Sequence, residues 1–390
     1  MSKYKISFWN YEKMGVIEAK KAVQDWKDAG FNLAMTFEYR ADVDSPAEMI
    51  ELLDECEKKG IKAIVCDKRT RYAEYMRVGE EKFREGVKKV VEEFGSHPAV
   101  YGFHVGDEPN GEAWESAISA FKIVRETANG KKGFINMFSS WITPECPDVI
   151  GTPLNEYEDK VVDFVRRSGA DIVSFDCYSQ CMYTEQEFEQ SEFLRNLRMF
   201  ASAAKRTGAE LFVSLLSVGH WNYRVPTQDD IRWQVNMAAA HGVTGMFWFY
   251  FYQRLLEENY REGPINLFGE RTEMFNKISF QNRFFMKYYA EKLEDCTVDD
   301  ISYFRKTYGG YPAFTGKHEL KIIEALVNPG SICVTRWIRK DGKPCYTLVN
   351  VDRQLPARIR IEFEGELASQ NDKRWLAPGQ LIFIDENGIV

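Results

Sequence analysis

Two adjacent acids, Asp107 and Glu108, stand directly after the apolar run AVYGFHVG and before Pro109. A carboxylic acid in such a pair can protonate a leaving oxygen, while a second carboxylate acts as base for water or as a nucleophile. Alternatively, both acids stabilise the N-terminus of the next helix, where negative charge is favourable. Their position at the end of an apolar run favours the catalytic interpretation, with Glu108 as the acid.

Polar and aromatic side chains that follow the other apolar runs are candidates for the same site. Those expected to bind substrate are Trp9, Glu38, Asn136, Tyr178, His220, Trp221, Trp248 and Tyr250. Acids and aromatic rings at one rim suit sugar chemistry, because the flat CH faces of a pyranose stack on Trp and Tyr. Asp176 is the preferred second carboxylate, although a structural role fits it equally well. Glu38 and Asp67 each stand two residues before an arginine, so ion pairing fits them at least as well as catalysis.

Metal and cofactor motifs are missing from the sequence. The 5 histidines never occur at HxH or HxxxH spacing, and no P-loop or dinucleotide-binding glycine motif is present. Cys177 and Cys181 lie close together, but no second Cys or His pair follows at zinc-site spacing. We therefore expect a reaction without metal or cofactor. The 8 cysteines are scattered through a long chain and do not form the pattern of a disulfide framework, so we expect them to be reduced. His104, inside the run before Glu108, is either a core histidine or a partner of that acid.

The candidates belong to a repeated pattern of short apolar runs and longer amphipathic segments that covers residues 1–292. Eight runs are predicted to be strands: KISFW, FNLAMTF, IKAIVC, AVYGFHV, GFINMF, DIVSF, ELFVSLL and VTGMFWFYF. Intervening segments such as SPAEMIELLDECEKK are predicted to be helices. Eight units without a glycine-rich phosphate loop after the first favour an α/β fold of the (β/α)8 TIM barrel type. In a barrel, the active site forms at the C-terminal ends of the strands, where these candidates lie.

The pattern changes over residues 297–390, where short β-like runs alternate with turn signals such as DGKP and PGQ. These runs leave no room for crossover helices. An antiparallel β-sandwich packed against the barrel is therefore predicted.

The overall composition excludes several classes of protein. The chain has 390 residues, of which 44% are hydrophobic and 28% charged, so it can bury a large core and is not disordered. Its net charge of -8 disfavours binding to nucleic acid or to anionic membranes. The N-terminal segment lacks the apolar core of a secretory signal, and no later run is apolar enough to span a membrane. A cytoplasmic protein is expected, and its oligomeric state is left open.

The segment YGFHVGDEPN resembles the fourth-strand acid/base motif of clan A glycoside hydrolases. DIVSFDCYS and VPTQDDIRWQVNMAAAHGVTGMFWFYFY resemble segments of uncharacterised bacterial barrel glycosidases that carry a GDEP motif, and with the C-terminal LAPGQLIF the resemblance covers nearly the whole chain. It implies that Glu108 protonates the glycosidic oxygen. One departure is that the seventh run, LFVSLLSVGHWN, lacks the nucleophilic Glu of the retaining clan A enzymes.

The Asp-Glu pair also resembles that of N-acetylhexosaminidases that use substrate assistance. This resemblance implies that Asp107 orients the acetamido group, Glu108 is the acid/base and Tyr178 donates to the acetamido oxygen. The leading hypothesis is a glycoside hydrolase acting on small oligosaccharides or glycoconjugates, with Glu108 and either Asp176 or Asp107. A substrate-assisted N-acetylhexosaminidase and a non-catalytic carbohydrate-binding barrel are the alternatives, and a lyase or deacetylase is less well supported.

Overall fold

The computed structural model describes residues 2–180, 182, 186–254, 259–327 and 330–390. All eight predicted strands of the first part are observed. They are β1 (Lys5–Phe8), β2 (Leu33–Met35), β3 (Lys62–Val65), β4 (Val100–Asp107), β5 (Lys132–Asn136), β6 (Ile172–Asp176), β7 (Glu210–Leu216) and β8 (Gly245–Phe249). The α-helices of the described residues are α1 (Ala19–Asp28), α2 (Pro46–Lys59), α3 (Tyr72–Val78), α4 (Glu80–Val90), α5 (Trp114–Thr127), α6 (Cys146–Ile150), α7 (Tyr157–Ser168), α8 (Gln186–Thr207), α9 (Gln228–Ala240), α10 (Glu273–Phe285) and α11 (Glu291–Leu293).

Helix α2 illustrates how local sequence sets these elements. Ser45 and Glu48 form a capping box at its start, where Pro46 takes the first helical position. Gly60 ends the helix with a φ of 69°, a left-handed conformation that glycine adopts without steric cost. The predicted segment 45–59 thus carries its own start and stop signals.

The eight strands run parallel but form two half sheets, with the orders β1-β8-β7-β6 and β2-β3-β4-β5. Single backbone hydrogen bonds cross the two seams. The Met137 amide donates to the Ser174 carbonyl at 2.8 Å, and the Asn32 amide donates to the Ile6 carbonyl at 3.2 Å. The strand order is therefore that of the predicted barrel, whereas the expected continuous, closed ladder is not formed.

An apolar layer inside the strands joins the two half sheets. Phe134 of β5 and Phe247 of β8 stack at a ring separation of 4.7 Å, and Leu33, Ile64 and Phe212 belong to the same buried cluster. A second, larger cluster lies between the strands and the helices. Since the strands are covered on both faces, their C-terminal ends are left to carry polar side chains.

The C-terminal strands are antiparallel. They are β9 (Cys296–Phe304), β10 (Leu320–Val327), β11 (Ile332–Arg339), β12 (Pro344–Asn350), β13 (Ala357–Phe363), β14 (Asp372–Leu376), β15 (Leu381–Asp385) and β16 (Gly388–Ile389). A five-stranded sheet has the order β16-β15-β12-β11-β9, and a three-stranded sheet has the order β10-β13-β14. Leu348 of the first sheet and Ile361 of the second share one buried cluster, so the two sheets pack on each other.

The five-stranded sheet and its turns pack on helix α9. The Trp233 indole donates to the Val351 carbonyl, and the Asn236 amide group donates to the Gly379 carbonyl, both at 2.8 Å. A Cβ on Gly379 would lie 2.6 Å from the Trp233 Cα, so this turn requires glycine. The two parts of the chain therefore share a buried interface.

Candidate active site

The adjacent acids occupy the C-terminal end of β4, where the strand is irregular. The pairing with β5 shifts between His104 and Gly106, and after this shift Asp107 lies opposite Asn136. A bulge of this kind re-aims the side chains that follow it. The structure thereby brings Asp107 next to the end of β5.

Glu108 stands just beyond the strand in a strained conformation. Its φ is +44°, and its amide donates to the Asn136 carbonyl at 2.9 Å. A positive φ is unfavourable for a non-glycine residue, and such strained conformations cluster at functional sites. The Tyr72 hydroxyl donates to the Asp107 carbonyl at 2.9 Å, which fixes the backbone just before the strained residue.

Asn136 links the carboxyl groups of two strands. Its amide nitrogen donates to Asp107 at 3.3 Å and to Asp176 at 3.0 Å, while its oxygen accepts from the Ser174 hydroxyl at 2.9 Å. The Glu108 carboxyl is in turn hydrogen-bonded to Asp176. Three carboxyls from β4 and β6 thus form one cluster, which we call the acid cluster: Asp107, Glu108 and Asp176.

Burial raises the pKa of every member of the acid cluster, and repulsion between carboxylates adds to this effect for Asp107 and Glu108. For Glu108, burial acts first, followed by the charges of Asp176 and Asp107 and by the hydrogen bond to Asp176. Burial and the Asp176 charge raise the pKa of Asp107, against the opposing effects of Asn136 and Arg71. Burial also raises the pKa of Asp176, although its bonds to Glu108 and Asn136 oppose this. Glu108 is therefore the member that retains its proton near neutral pH.

The acid cluster lines a cleft of about 610 Å³ at the C-terminal ends of the strands. Aromatic side chains make up much of the remaining wall and include Trp9, Tyr11, Trp141, Tyr178, Trp221 and Tyr260. Trp221 is 61% exposed, whereas Trp9 is 2% exposed and donates from its indole nitrogen to Ser214 at 2.8 Å. The cleft therefore has a fixed, buried floor and an exposed ring at its mouth.

His220 lies in this wall among aromatic rings. It stacks on Tyr260 at a ring separation of 5.5 Å and meets Tyr178 edge-on at 6.1 Å. Since His220 follows β7, the segment where retaining clan A enzymes carry a carboxylate is here occupied by a buried imidazole.

Several predicted candidates lie together in the cleft: Trp9, Asp107, Glu108, Asn136, Asp176, Tyr178, His220 and Trp221. The helix-capping alternative for the acids is wrong, because α5 begins only at Trp114 and has no side-chain cap. Asp176, for which the sequence left a structural role open, contacts Glu108 directly.

Two aromatic candidates lie elsewhere. Trp248 is fully buried on the helix side of β8, where its indole donates to Asn282 at 2.9 Å, so its expected role as a sugar platform is wrong. Tyr250 is also fully buried, and its hydroxyl accepts from the Arg254 amide at 2.8 Å. It packs behind the cleft wall, edge-on to Tyr11, and does not face the cleft.

Glu38 and Asp67 line a small side cavity of about 60 Å³ that shares Trp9, Tyr11 and Asp107 with the cleft. Glu38 lies 3.7 Å from Arg71, and Asp67 lies 2.7 Å from Arg69. Asp67 pairs with the arginine two residues further on, as its spacing indicated. Glu38 does not, because Arg40 is held by Asp44 at 2.6 Å. The substrate-binding role of Glu38 stays a prediction.

His104 is a buried neighbour of the acid cluster and not a member of it. Its Nε2 lies 3.1 Å from the Gly106 carbonyl, and its ring meets Trp9 edge-on. Burial and the nearby Arg71 cation hold its pKa well below the usual range, so the imidazole is neutral.

Sequence reasoning missed Tyr11, Arg254 and Tyr260, which all line the cleft. These residues stand in loops several positions beyond the strand ends. Tyr11 and Arg254 each follow a run already singled out, so extending the inspection by a few residues would have found them.

Outside the cleft, Asp54, Glu57 and His97 bring three possible metal-ligand atoms within 4.8 Å of one another. His97 Nε2 lies 3.1 Å from Asp54, and its Nδ1 accepts from the Ala99 amide. The polar atoms of His97 are thus satisfied by hydrogen bonds within this surface group. The described helices include none with the length and apolar character of a membrane span.

The sequence matches no family model and no curated protein. Its fold, in contrast, is that of glycoside hydrolases built on a parallel α/β barrel, as comparison with solved structures shows. This similarity concerns the backbone alone, and the GDEP-motif subgroup named above stays a prediction.

Two of the similar structures cover both parts of the chain. A glycoside hydrolase family 5 protein from Bacteroides vulgatus is 12% identical with a TM-score of 0.63, over 98% of this chain and 90% of that one. Another glycoside hydrolase is 9% identical with a TM-score of 0.63, and the match covers 98% of this chain and 93% of that one. A β-galactosidase from Marinomonas ef1 is 13% identical with a TM-score of 0.54, over 74% of this chain and only 61% of that protein.

Proposed function

We propose that this protein is a glycoside hydrolase that cleaves a glycosidic bond of small oligosaccharides or glycoconjugates, with Glu108 as the general acid/base. The observation that carries the proposal is the acid cluster itself, in which Asn136 joins Asp107 and Asp176 beside Glu108 in an aromatic-lined cleft. A carboxylic acid kept protonated by burial and a neighbouring carboxylate is the group needed to protonate a leaving oxygen at neutral pH. The glycoside hydrolase fold adds support.

In the first step, Glu108 gives its proton to the glycosidic oxygen as the bond to the anomeric carbon breaks. General acid catalysis of this kind contributes about 100- to 10,000-fold to the rate. Asp176, the second carboxylate, stabilises the positive charge that develops on the sugar ring. Glu108, now ionised, then accepts a proton from the attacking water.

The contact between Glu108 and Asp176 also constrains this reaction. Retaining glycosidases hold their carboxyl groups about 5–5.5 Å apart, and inverting enzymes about 6.5–9.5 Å apart. A sugar that binds between Glu108 and Asp176 must therefore separate them. Asn136 remains bonded to Ser174 and can keep Asp176 in place while the Glu108 side chain moves.

A second candidate is a substrate-assisted N-acetylhexosaminidase. It is favoured by the close contact of Glu108 with Asp176, since this mechanism needs no carboxylate on the opposite face of the sugar. Asp107, held by Asn136, would orient the acetamido group. Burial and the nearby acid cluster hold the pKa of Tyr178 well above its usual range, so its hydroxyl stays a donor.

The test of Glu108 uses a panel of aryl glycosides with poor and good leaving groups. Glu108→Gln should lower kcat/KM by about 100-fold or more for poor leaving groups and by less for good ones. Glu112→Gln, an exposed glutamate four positions along, is the matched control and should retain activity. Unchanged turnover of a poor leaving group by folded Glu108→Gln would refute the assignment.

The choice between the two mechanisms rests on substrate preference. Aryl N-acetylhexosaminides alone should react if the acetamido group assists, and Asp107→Asn should then abolish most turnover. Cleavage of plain hexosides at comparable rates, with Asp176→Asn the more damaging change, would support the two-carboxylate mechanism. Sugar binding without turnover of any glycoside would instead support a non-catalytic carbohydrate-binding protein.

A further inference from the structure

An arginine, Arg254, lies over two aromatic rings of the cleft wall. Its guanidinium carbon is 5.0 Å from the centre of the Tyr11 ring and 5.6 Å from that of Tyr260. Its backbone amide is anchored by the Tyr250 hydroxyl at 2.8 Å. Cation–π contacts of this kind hold a guanidinium in place and leave its N–H groups free to bind an acceptor.

Within the described residues, Arg254 is the only cationic side chain that lines the cleft, and it forms no ion pair there. The neighbouring arginines Arg224 and Arg261 have partners of their own. Arg224 pairs with Asp230 at 2.5 Å, and Arg261 donates to the Asn259 and Tyr223 carbonyls, both at 2.8 Å. Glu12 is near enough for its charge to attract that of Arg254, but no ion pair joins the two, so Arg254 presents a positive charge to the cleft.

This charge does not serve the acid cluster. Arg254 follows β8, whereas Glu108 follows β4, which stands four strands away in the barrel order. The cation that lowers the pKa of Asp107 is Arg71, whereas Arg254 shifts none of the three carboxyls. Its position is suited to contact a bound molecule.

We propose that Arg254 binds an anionic substituent of the substrate, so that the enzyme acts on acidic glycosides whose sugar carries a carboxylate or a sulfate ester. This inference rests on the function proposed above. A guanidinium fork matches two oxygens of a carboxylate or sulfate, and the exposed Trp221 ring at the mouth of the cleft offers apolar surface to the sugar. The positive charge also offsets the repulsion between an anionic substrate and the acid cluster.

The test compares aryl uronides, aryl 6-sulfohexosides and neutral aryl hexosides. We expect kcat/KM to be about 10- to 100-fold higher for an acidic glycoside than for its neutral counterpart, the range of charge-assisted hydrogen bonds. Arg254→Met should remove this preference mainly through KM, because it should lower kcat/KM far more for the acidic glycoside than for its neutral counterpart. Arg77→Met, which removes an exposed arginine of α3 that pairs with Glu74, is the control and should keep the preference.

Preference for uronides identifies the substituent as carboxylate, and preference for sulfohexosides identifies it as sulfate. Equal turnover of acidic and neutral glycosides by the wild type would overturn the inference. An equal loss of turnover of both substrate classes in Arg254→Met would overturn it as well. Either result would leave the proposed glycoside hydrolase function standing. If no glycoside reacts, titration calorimetry with D-glucuronate and D-glucose still tests whether Arg254 binds an anionic substituent. Binding of glucuronate alone, lost in Arg254→Met, supports the inference, and equal binding of both sugars overturns it.

Discussion

Replacing Asp176 by asparagine should move the alkaline limb of the kcat/KM profile to lower pH. The wild-type acid works while Glu108 is protonated, so activity is lost as the pH rises through its raised pKa. The amide in Asp176→Asn keeps the shape of the side chain but carries no charge and can donate to ionised Glu108. Both effects lower the pKa of Glu108, so the loss of activity should begin at lower pH.

The size of this shift follows from the contact between the two groups. Two charges about 4 Å apart repel by about 4 kcal/mol at an effective dielectric constant of about 20. This energy corresponds to about 3 pH units, at about 1.36 kcal/mol per unit. Because Glu108 is partly exposed to the solvent of the cleft, we expect about 1 to 3 units. The remaining Asp107 charge should keep the pKa of Glu108 above that of an ordinary glutamate.

The assay is the pH dependence of kcat/KM on an aryl glycoside, which reports the groups of the free enzyme. Asp171→Asn removes the same charge just before β6, at the opposite end of that strand, and should leave the limb in place. Difference infrared spectra of the wild type and Glu108→Gln, recorded without substrate, follow the protonated carboxyl directly. An alkaline limb and a carboxyl band that stay unmoved in folded Asp176→Asn would refute the reasoning.

Three further changes test the scaffold. Gly106→Ala places a Cβ 2.2 Å from the Tyr72 ring, so we expect a lower melting temperature, a cost of about 1–3 kcal/mol and reduced turnover as the Tyr72 contact to Asp107 shifts. Arg353→Met leaves Glu189 buried without the cation that lies 3.1 Å away, and should lower the free energy of unfolding in urea by about 3–5 kcal/mol. Removing residues 297–390, the proposed second domain, should expose the apolar face of α9 and reduce solubility on gel filtration.

Each of these changes has its own control or contrary outcome. Gly86→Ala, at a helical site with its nearest contact at 3.5 Å, should not destabilise the protein, and equal effects of the two glycine changes would contradict the clash at Gly106. Arg360→Met breaks an exposed ion pair and should cost no more than about 1 kcal/mol. A truncated protein that stays monomeric, soluble and equally heat-stable would show that the two parts share no core.

The sequence alone determined the elements and the end of the sheet at which the site lies. Apolar runs separated by amphipathic segments specify strands and helices through local periodicity, and Ser45 and Gly60 bound their helix by local capping. In a parallel sheet of this kind, residues that follow each strand meet at one edge, so Asp107, Glu108 and Asp176 could be placed at a common rim. All of these inferences use local sequence patterns and the order of the strands, and none depends on how far apart two strands lie.

Only the tertiary structure decided which rim residues touch and which face inward. In the run Phe247-Trp248-Phe249, alternate side chains lie on opposite faces of the strand. Because both faces are apolar, the sequence does not show which side chains point into the barrel and which point toward the helices. Packing on α10 settles that Trp248 points away from the cleft. The hydrogen bond of Glu108 to Asp176 depends likewise on the bulge in β4 and on a seam between half sheets. Such contacts arise from the relative placement of strands far apart in sequence, which local periodicity does not encode.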